Sequence, residues 1–122
     1  MNAKEKIESE DLELRELDNY FSTETYHRVF LNTIATDGVI YIMQNGYSWF
    51  VTDAISVIKY KFVREAFLTA ELRVNKENST ADMVITDGDG HIMYRQHYKY
   101  TDAKRDLTLY YTGKVIMLSG EY

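Results

Sequence analysis

The chain has 122 residues, a net charge of −5 and no cysteine or proline. That length suits one domain with a single core. The missing cysteines exclude disulfides, thiolate metal sites and a cysteine nucleophile. No apolar run approaches the ~20 residues that span a bilayer, and the start Met1-Asn2-Ala3-Lys4-Glu5-Lys6 lacks a signal peptide's apolar stretch, so a cytoplasmic protein with no membrane partner is expected.

Charge is unevenly placed. Residues 1–20 hold seven of the 19 acidic side chains and three of the 14 basic ones, which puts −4 there and leaves −1 for the rest. No broad basic surface follows, and nucleic acid is not an expected partner.

Residues 1–8 are charged and expected to be disordered. Ser9 can cap a helix over 10–20, with Leu14, Leu17 and Phe21 at helical spacing. Its outer face carries Glu10, Glu13 and Glu16, which we take as candidate partner contacts. Tyr26 to Ala35 reads as one strand and Val39 to Met43 as a second, buried on both faces. Thr36-Asp37-Gly38 reads as the tight turn between them, and Asn45-Gly46 ends the pair. Residues 49–63 read as a helix, with Phe50, Ala54, Ile58 and Phe62 on one stripe and Ser48 or Thr52 as cap.

Phe67 to Asn75 alternates apolar and polar residues and reads as a strand. Ala81 to Thr86 and His91 to Tyr100 form a hairpin around Asp87-Gly88-Asp89-Gly90, and Leu107–Tyr111 and Val115–Leu118 another around Thr112-Gly113-Lys114. Short connections without βαβ alternation predict a single α+β domain over 1–122: an antiparallel sheet of about six to seven strands with two helices packed on it. Homo-oligomerisation is expected, because terminal strands of open sheets commonly pair and the last hairpin is apolar.

Several blocks together resemble a family of small bacterial, cyanobacterial and phage proteins whose domain has no known function. They are Phe21-Ser22-Thr23-Glu24-Thr25-Tyr26-His27-Arg28, Thr36-Asp37-Gly38-Val39, Trp49-Phe50-Val51-Thr52-Asp53-Ala54-Ile55, Asp87-Gly88-Asp89-Gly90, Tyr100-Thr101-Asp102, and the close Met117-Leu118-Ser119-Gly120-Glu121-Tyr122. Ala103 and Lys104 stand where the family pattern has Phe-Pro. The resemblance covers about residues 14–122. It implies phage or mobile-element origin and brings no activity, cofactor or catalytic residue with it.

The residues themselves carry no catalytic signature. No phosphate loop, nucleophile elbow or dinucleotide fingerprint is present. None of the three histidines has a helical His or Glu partner four residues on, so no metal site and no cofactor are expected. Asp37 and Asp87 each precede glycine, which turn chemistry explains.

Three functions stay open. The first is a non-enzymatic binding protein acting on a host protein, in particular a defence component. The second is a small anionic-ligand binder, with Trp49, Tyr94, Tyr98 and Tyr100 lining a pocket and Arg28 or Arg95 holding the charge. On the strand 91–100, Arg95, His97 and Lys99 share the face opposite Tyr94 and Tyr98 and form a second candidate anion site. The third is a metal-dependent hydrolase in which Asp37, Asp53 and Asp102 converge.

Overall fold

The computed structural model describes residues 22–122 together with Leu17. The expected helix over 10–20, and with it Glu10, Glu13 and Glu16, lies outside the described residues. Seven strands form one sheet: β1 (Tyr26–Val29), β2 (Thr33–Thr36), β3 (Phe67–Asn75), β4 (Thr80–Thr86), β5 (Ile92–Tyr98), β6 (Leu107–Thr112) and β7 (Val115–Leu118). Their order across the sheet is β1-β2-β7-β6-β3-β4-β5. The fold is α+β, and the sheet is mostly antiparallel but mixed, because β2 and β7 run parallel. The last hairpin therefore sits inside the sheet, and its apolar ending meets strands on both sides. The sheet edges are β1 and β5.

The strand alternation sets the core. Leu68, Ala70 and Leu72 of β3 pair with Leu107, Leu109 and Tyr111 of β6 on one side and with Met83 and Ile85 of β4 on the other. This face is covered by helix α2 (Ser48–Lys61), whose Phe50, Val51, Ala54, Ile55 and Ile58 are buried. Their spacing of one, three and four residues is the inward stripe of an α-helix. Each large apolar side chain so buried contributes roughly 1.5–3 kcal/mol.

The region before α2 differs from the sequence reading. The strand expected over 26–35 is two strands, folded at Phe30–Asn32, where Leu31 and Asn32 take φ of 52° and 55°. Asn tolerates that conformation; leucine at such a φ costs roughly 1–2 kcal/mol. The turn expected at Thr36-Asp37-Gly38 is instead the start of helix α1 (Asp37–Ile42), and the strand expected over 39–43 lies mostly within it. A short run that is apolar throughout has no period to tell strand from helix, and the burial of Val39 and Ile42 suits either.

A π-helical turn at Met43–Tyr47 joins α1 to α2. Gly46, at φ 97°, breaks the axis there, so Asn45-Gly46 interrupts a helix and does not end a strand. Neither Ser48 nor Thr52 caps α2: the residue at its N-cap is Tyr47, at φ −111° and ψ 16°, with no side-chain cap hydrogen bond. Of two helices expected on the sheet, one long one, α2, is found among the described residues.

The later turns follow their sequence signals. Gly113 and Lys114 both have positive φ, as a two-residue hairpin of type I′ requires. In the β4–β5 loop, Asp87 accepts from the backbone of Asp89 and His91 and pairs with the His91 ring at 2.7 Å. A bulge in the β4–β5 pairing follows at Ile85 and Thr86.

Candidate functional site

All but one of the blocks that carry the family resemblance meet in two places, one at the start of α1 and one at the start of α2; the Asp87–Gly90 block stands apart in the β4–β5 loop. At the start of α1 they form a closed lock. The Asp37 carboxylate accepts from the backbone N–H of Glu24 and Thr25 at 3.1 and 3.2 Å, and its other oxygen lies 2.9 Å from His27 Nε2. A carboxylate can only accept, so that ring nitrogen carries the proton. The Asp37 N–H in turn donates to Thr23 Oγ1 at 2.9 Å. The His27 bond and these backbone donors hold the Asp37 carboxyl below the usual carboxylate range.

Glu121 closes the lock from the other end of the chain. One of its oxygens accepts from Thr36 Oγ1 at 2.6 Å and from the Leu118 N–H at 2.9 Å, and the other accepts from the Gly38 N–H at 3.1 Å. A Cβ on Gly38 would stand 2.5 Å from Leu118 Cδ1 and 2.7 Å from Glu121 Oε1, so glycine is needed for this approach and not for a turn. Glu121 is spent on a first-turn helix N–H, the Thr36 hydroxyl and the Leu118 N–H, and Asp37 on the segment before β1 and on His27. The arrangement holds a structure together and leaves no oxygen free for chemistry.

The second convergence is open. Trp49 and Asp53, one helical turn apart on α2, face Tyr98 at the end of β5. The Trp49 and Tyr98 rings meet edge to face, with centroids 5.0 Å apart at 77°. The Tyr98 hydroxyl donates to Asp53 Oδ2 at 2.7 Å, and Gln96 Nε2 lies 3.4 Å from the same oxygen. Burial, then the bond to Asp53, raises the Tyr98 hydroxyl well above its ordinary value of 10.0, so it stays a protonated donor. Behind Trp49, the Tyr47 ring stacks at 6.4 Å.

The rest of the wall comes from the segment after β5. Thr101 and Ala103 are buried, whereas Tyr100 and Asp102 point outward. The Thr101 N–H donates to Ser79 O at 2.7 Å, the Ala103 N–H to Thr101 Oγ1 at 3.1 Å, and the Lys104 N–H to the Tyr47 hydroxyl at 3.3 Å. An irregular segment is thereby fixed residue by residue, and Tyr100 is presented 77% exposed. Trp49, Tyr98, Tyr100, Thr101 and Asp102 line an open cleft of about 240 Å³. Its walls are aromatic and its polar rim is acidic.

Of the residues named from sequence, the cleft unites Trp49, Tyr98 and Tyr100. Tyr94 shares their face but is engaged elsewhere: its hydroxyl donates to Gln96 Oε1 at 3.0 Å, and Lys61 Nζ lies 5.6 Å from its ring centre. Arg28 is on β1, at the opposite edge of the sheet from β5, bonded to Asn32. Arg95 sits across from Val84 on the face turned away from the helix, and His97 on that face pairs with Asp82 at 2.8 Å. Lys99 is exposed just beyond β5. Neither arginine reaches the aromatic cleft, and the Arg95–His97–Lys99 stripe already carries one internal counter-charge.

The aspartates do not converge. Asp37 belongs to the lock and Asp53 accepts from Tyr98 and Gln96, and the two share no partner; among the described residues no group of three or more His, Cys, Asp or Glu side chains is placed to hold a metal ion. Asp102 instead forms the cleft's rim. The role of Thr101 as the anchor of that rim was missed from sequence. Its signal is the alternation of Tyr100, Thr101, Asp102 and Ala103 continuing past the strand end.

The model of a family of unknown function, DUF6876, matches residues 11–122. The chain belongs to that family. No curated protein and no solved structure matches it. No helix among the described residues is long and apolar enough to cross a membrane.

Proposed function

We propose that this DUF6876 member is a non-enzymatic binding protein that engages a macromolecule of its host through the Trp49–Tyr98–Tyr100 cleft. Phage or mobile-element origin, with a host defence component as target, is the form of this reading that the sequence resemblance favours. The observation that carries the reading is the contrast in how side chains are spent. The three His–Asp pairs, His27–Asp37, His91–Asp87 and His97–Asp82, each tie neighbouring segments together. None of the three imidazoles is hydrogen-bonded to a hydroxyl among the described residues, as activation of a nucleophile would require. The cleft, by contrast, holds aromatic groups half out of water in a fixed frame, the composition that dominates binding surfaces.

Native mass spectrometry of the full chain recovered from its host's lysate tests the proposal. A stoichiometric partner held by the natural protein and released by Tyr100→Ala is the expected result. A chain that emerges alone, or a partner indifferent to Tyr100, defeats it. An anionic ligand in this cleft has no support, because Arg28 and Arg95 lie elsewhere and the rim carries Asp102.

A further inference from the structure

We infer that the cleft between Trp49, Tyr98 and Tyr100 binds an alkylated ammonium group, a deepening that rests on the reading of this cleft as the binding site. Four observations lead there. The Trp49 and Tyr98 rings stand nearly perpendicular, 77° apart with centroids at 5.0 Å, so a group seated in their angle meets more than one aromatic surface. Aromatic faces carry negative potential and attract cations, tryptophan most strongly. Tyr98 donates its proton to the Asp53 carboxylate at 2.7 Å, which pushes electron density into its ring and increases that attraction. Asp102 adds an exposed carboxylate at the rim, where it can compensate a cation's charge without giving up a bond to any of the described residues. The same face of the sheet already shows this chemistry internally: Lys61 lies over Tyr94 and Lys59 over Tyr111, each with Nζ 5.6 Å from the ring centre.

An alkylated ammonium suits the cleft better than a bare one. The cleft walls are mostly ring surface, and the acceptors among their described residues are few: the Tyr98 and Tyr100 hydroxyls, with Asp102 and Thr101 on the rim. A primary ammonium keeps three donors that each need an acceptor in place of water, which ring faces do not supply, whereas a methylated one has few or none. The group can arrive on a free quaternary amine or on a methylated lysine of a protein.

The chain contains a single tryptophan, and it lines the cleft, so its fluorescence reports occupancy directly. The experiment titrates the full chain with choline, with a short peptide carrying trimethyllysine, with the uncharged choline isostere 3,3-dimethylbutan-1-ol, and with inorganic phosphate. The expected result is saturable change with both cations and about tenfold weaker binding of the neutral isostere, within the range of a cation–π attraction. Tyr100→Ala and Asp102→Asn, whose side chains are exposed, should each weaken the cations by about two- to thirtyfold with the fold intact. A peptide at least tenfold tighter than choline assigns the group to a protein; equal affinities assign it to a free amine. Isostere and choline binding alike, no saturation by either cation, or stronger binding of phosphate would overturn the inference. A host partner still lost on Tyr100→Ala would then leave the binding reading standing with a different ligand chemistry.

Discussion

The two places where the family's sequence blocks meet each hold two carboxylates, and these end in opposite states. At the start of α1, Asp37 and Glu121 receive donors from Glu24, Thr25, His27, Thr36, Gly38 and Leu118. At the start of α2, Asp53 takes Tyr98 and Gln96 while Asp102 and Tyr100 are left facing solvent. A carboxylate surrounded by backbone N–H groups is a fastener; a carboxylate on the rim of an aromatic cleft has capacity to spare. Residues shared by a family therefore divide by what their neighbours have already satisfied, and substitutions should separate stability from binding along that line.

The largest stability loss is expected at the lock. Glu121→Ala strands the Gly38 and Leu118 N–H groups and the Thr36 hydroxyl, and should cost about 3 kcal/mol in urea unfolding, from hydrogen bonds to a charged group worth ~1.5–3 kcal/mol each with partial rescue by water. Gly38→Ala drives a methyl into Leu118 and Glu121 and should cost about 1–3 kcal/mol. Both variants should retain cleft affinity below their unfolding midpoints. If either abolished ligand binding while still folded, the division of roles would be wrong.

Asp37 sharpens the same comparison through pH. Its carboxyl is held below the usual range in the folded state, so the unfolded chain binds the proton first as pH falls. The lock's contribution is fully present above about pH 4, the ordinary carboxylate value, and is lost as pH drops through the depressed folded value. Asp87, depressed chiefly by the Asp89 N–H and then by His91, acts with the same sign. Asp37→Asn should flatten the acid limb of a stability–pH curve, and an unchanged limb would show that the His27–Asp37 bond is not maintained in solution.

Tyr98 gives the opposite limb. Its hydroxyl is raised, so folding favours the protonated form; stability is unaffected below about pH 10 and falls above it, as tyrosines of the unfolded chain ionise first. Tyr98→Phe should remove that alkaline limb, and at neutral pH should cost about 1–2 kcal/mol by leaving Asp53 without its shortest bond. A Tyr98→Phe variant as stable as the natural chain would mean that Asp53 is fully solvated.

How much of this could be read beforehand follows from what each segment's neighbours decide. The β3 alternation, the α2 stripe and the Asp87–Gly90 and Gly113–Lys114 turns are local codes, and the structure follows them. The Val39–Met43 run carries no such code, and its helical state depends on the lock formed with Thr23 and Glu121, the latter more than 80 residues away in sequence. The parallel pairing of β2 with β7 is likewise set by partners distant in the chain. For the cleft, tryptophan and tyrosine were recognisable as contact residues, but their counter-charge was assigned to arginines. Only the packing of the 99–106 segment reveals that Asp102 stands at the rim.

The smallest stability effect carries the sharpest test of that assignment. Tyr100 is largely exposed, and among the described residues its side chain accepts or donates no hydrogen bond to the chain, so Tyr100→Ala should change unfolding free energy by less than about 0.5 kcal/mol. Thr101 and Ala103 remain to hold the backbone on either side, so the neighbouring Asp102 should keep its place. Paired with Thr101→Ala, the comparison isolates presentation from contact. Thr101→Ala removes the acceptor of the Ala103 N–H, leaves a small buried void, and should cost about 1–2 kcal/mol. It should also weaken cleft binding, because it loosens the segment that presents Tyr100 and Asp102. Unfolding curves and tryptophan titrations of the two variants decide the matter: loss of binding in both, with loss of stability only in Thr101→Ala, is the pattern that a preorganised cleft requires.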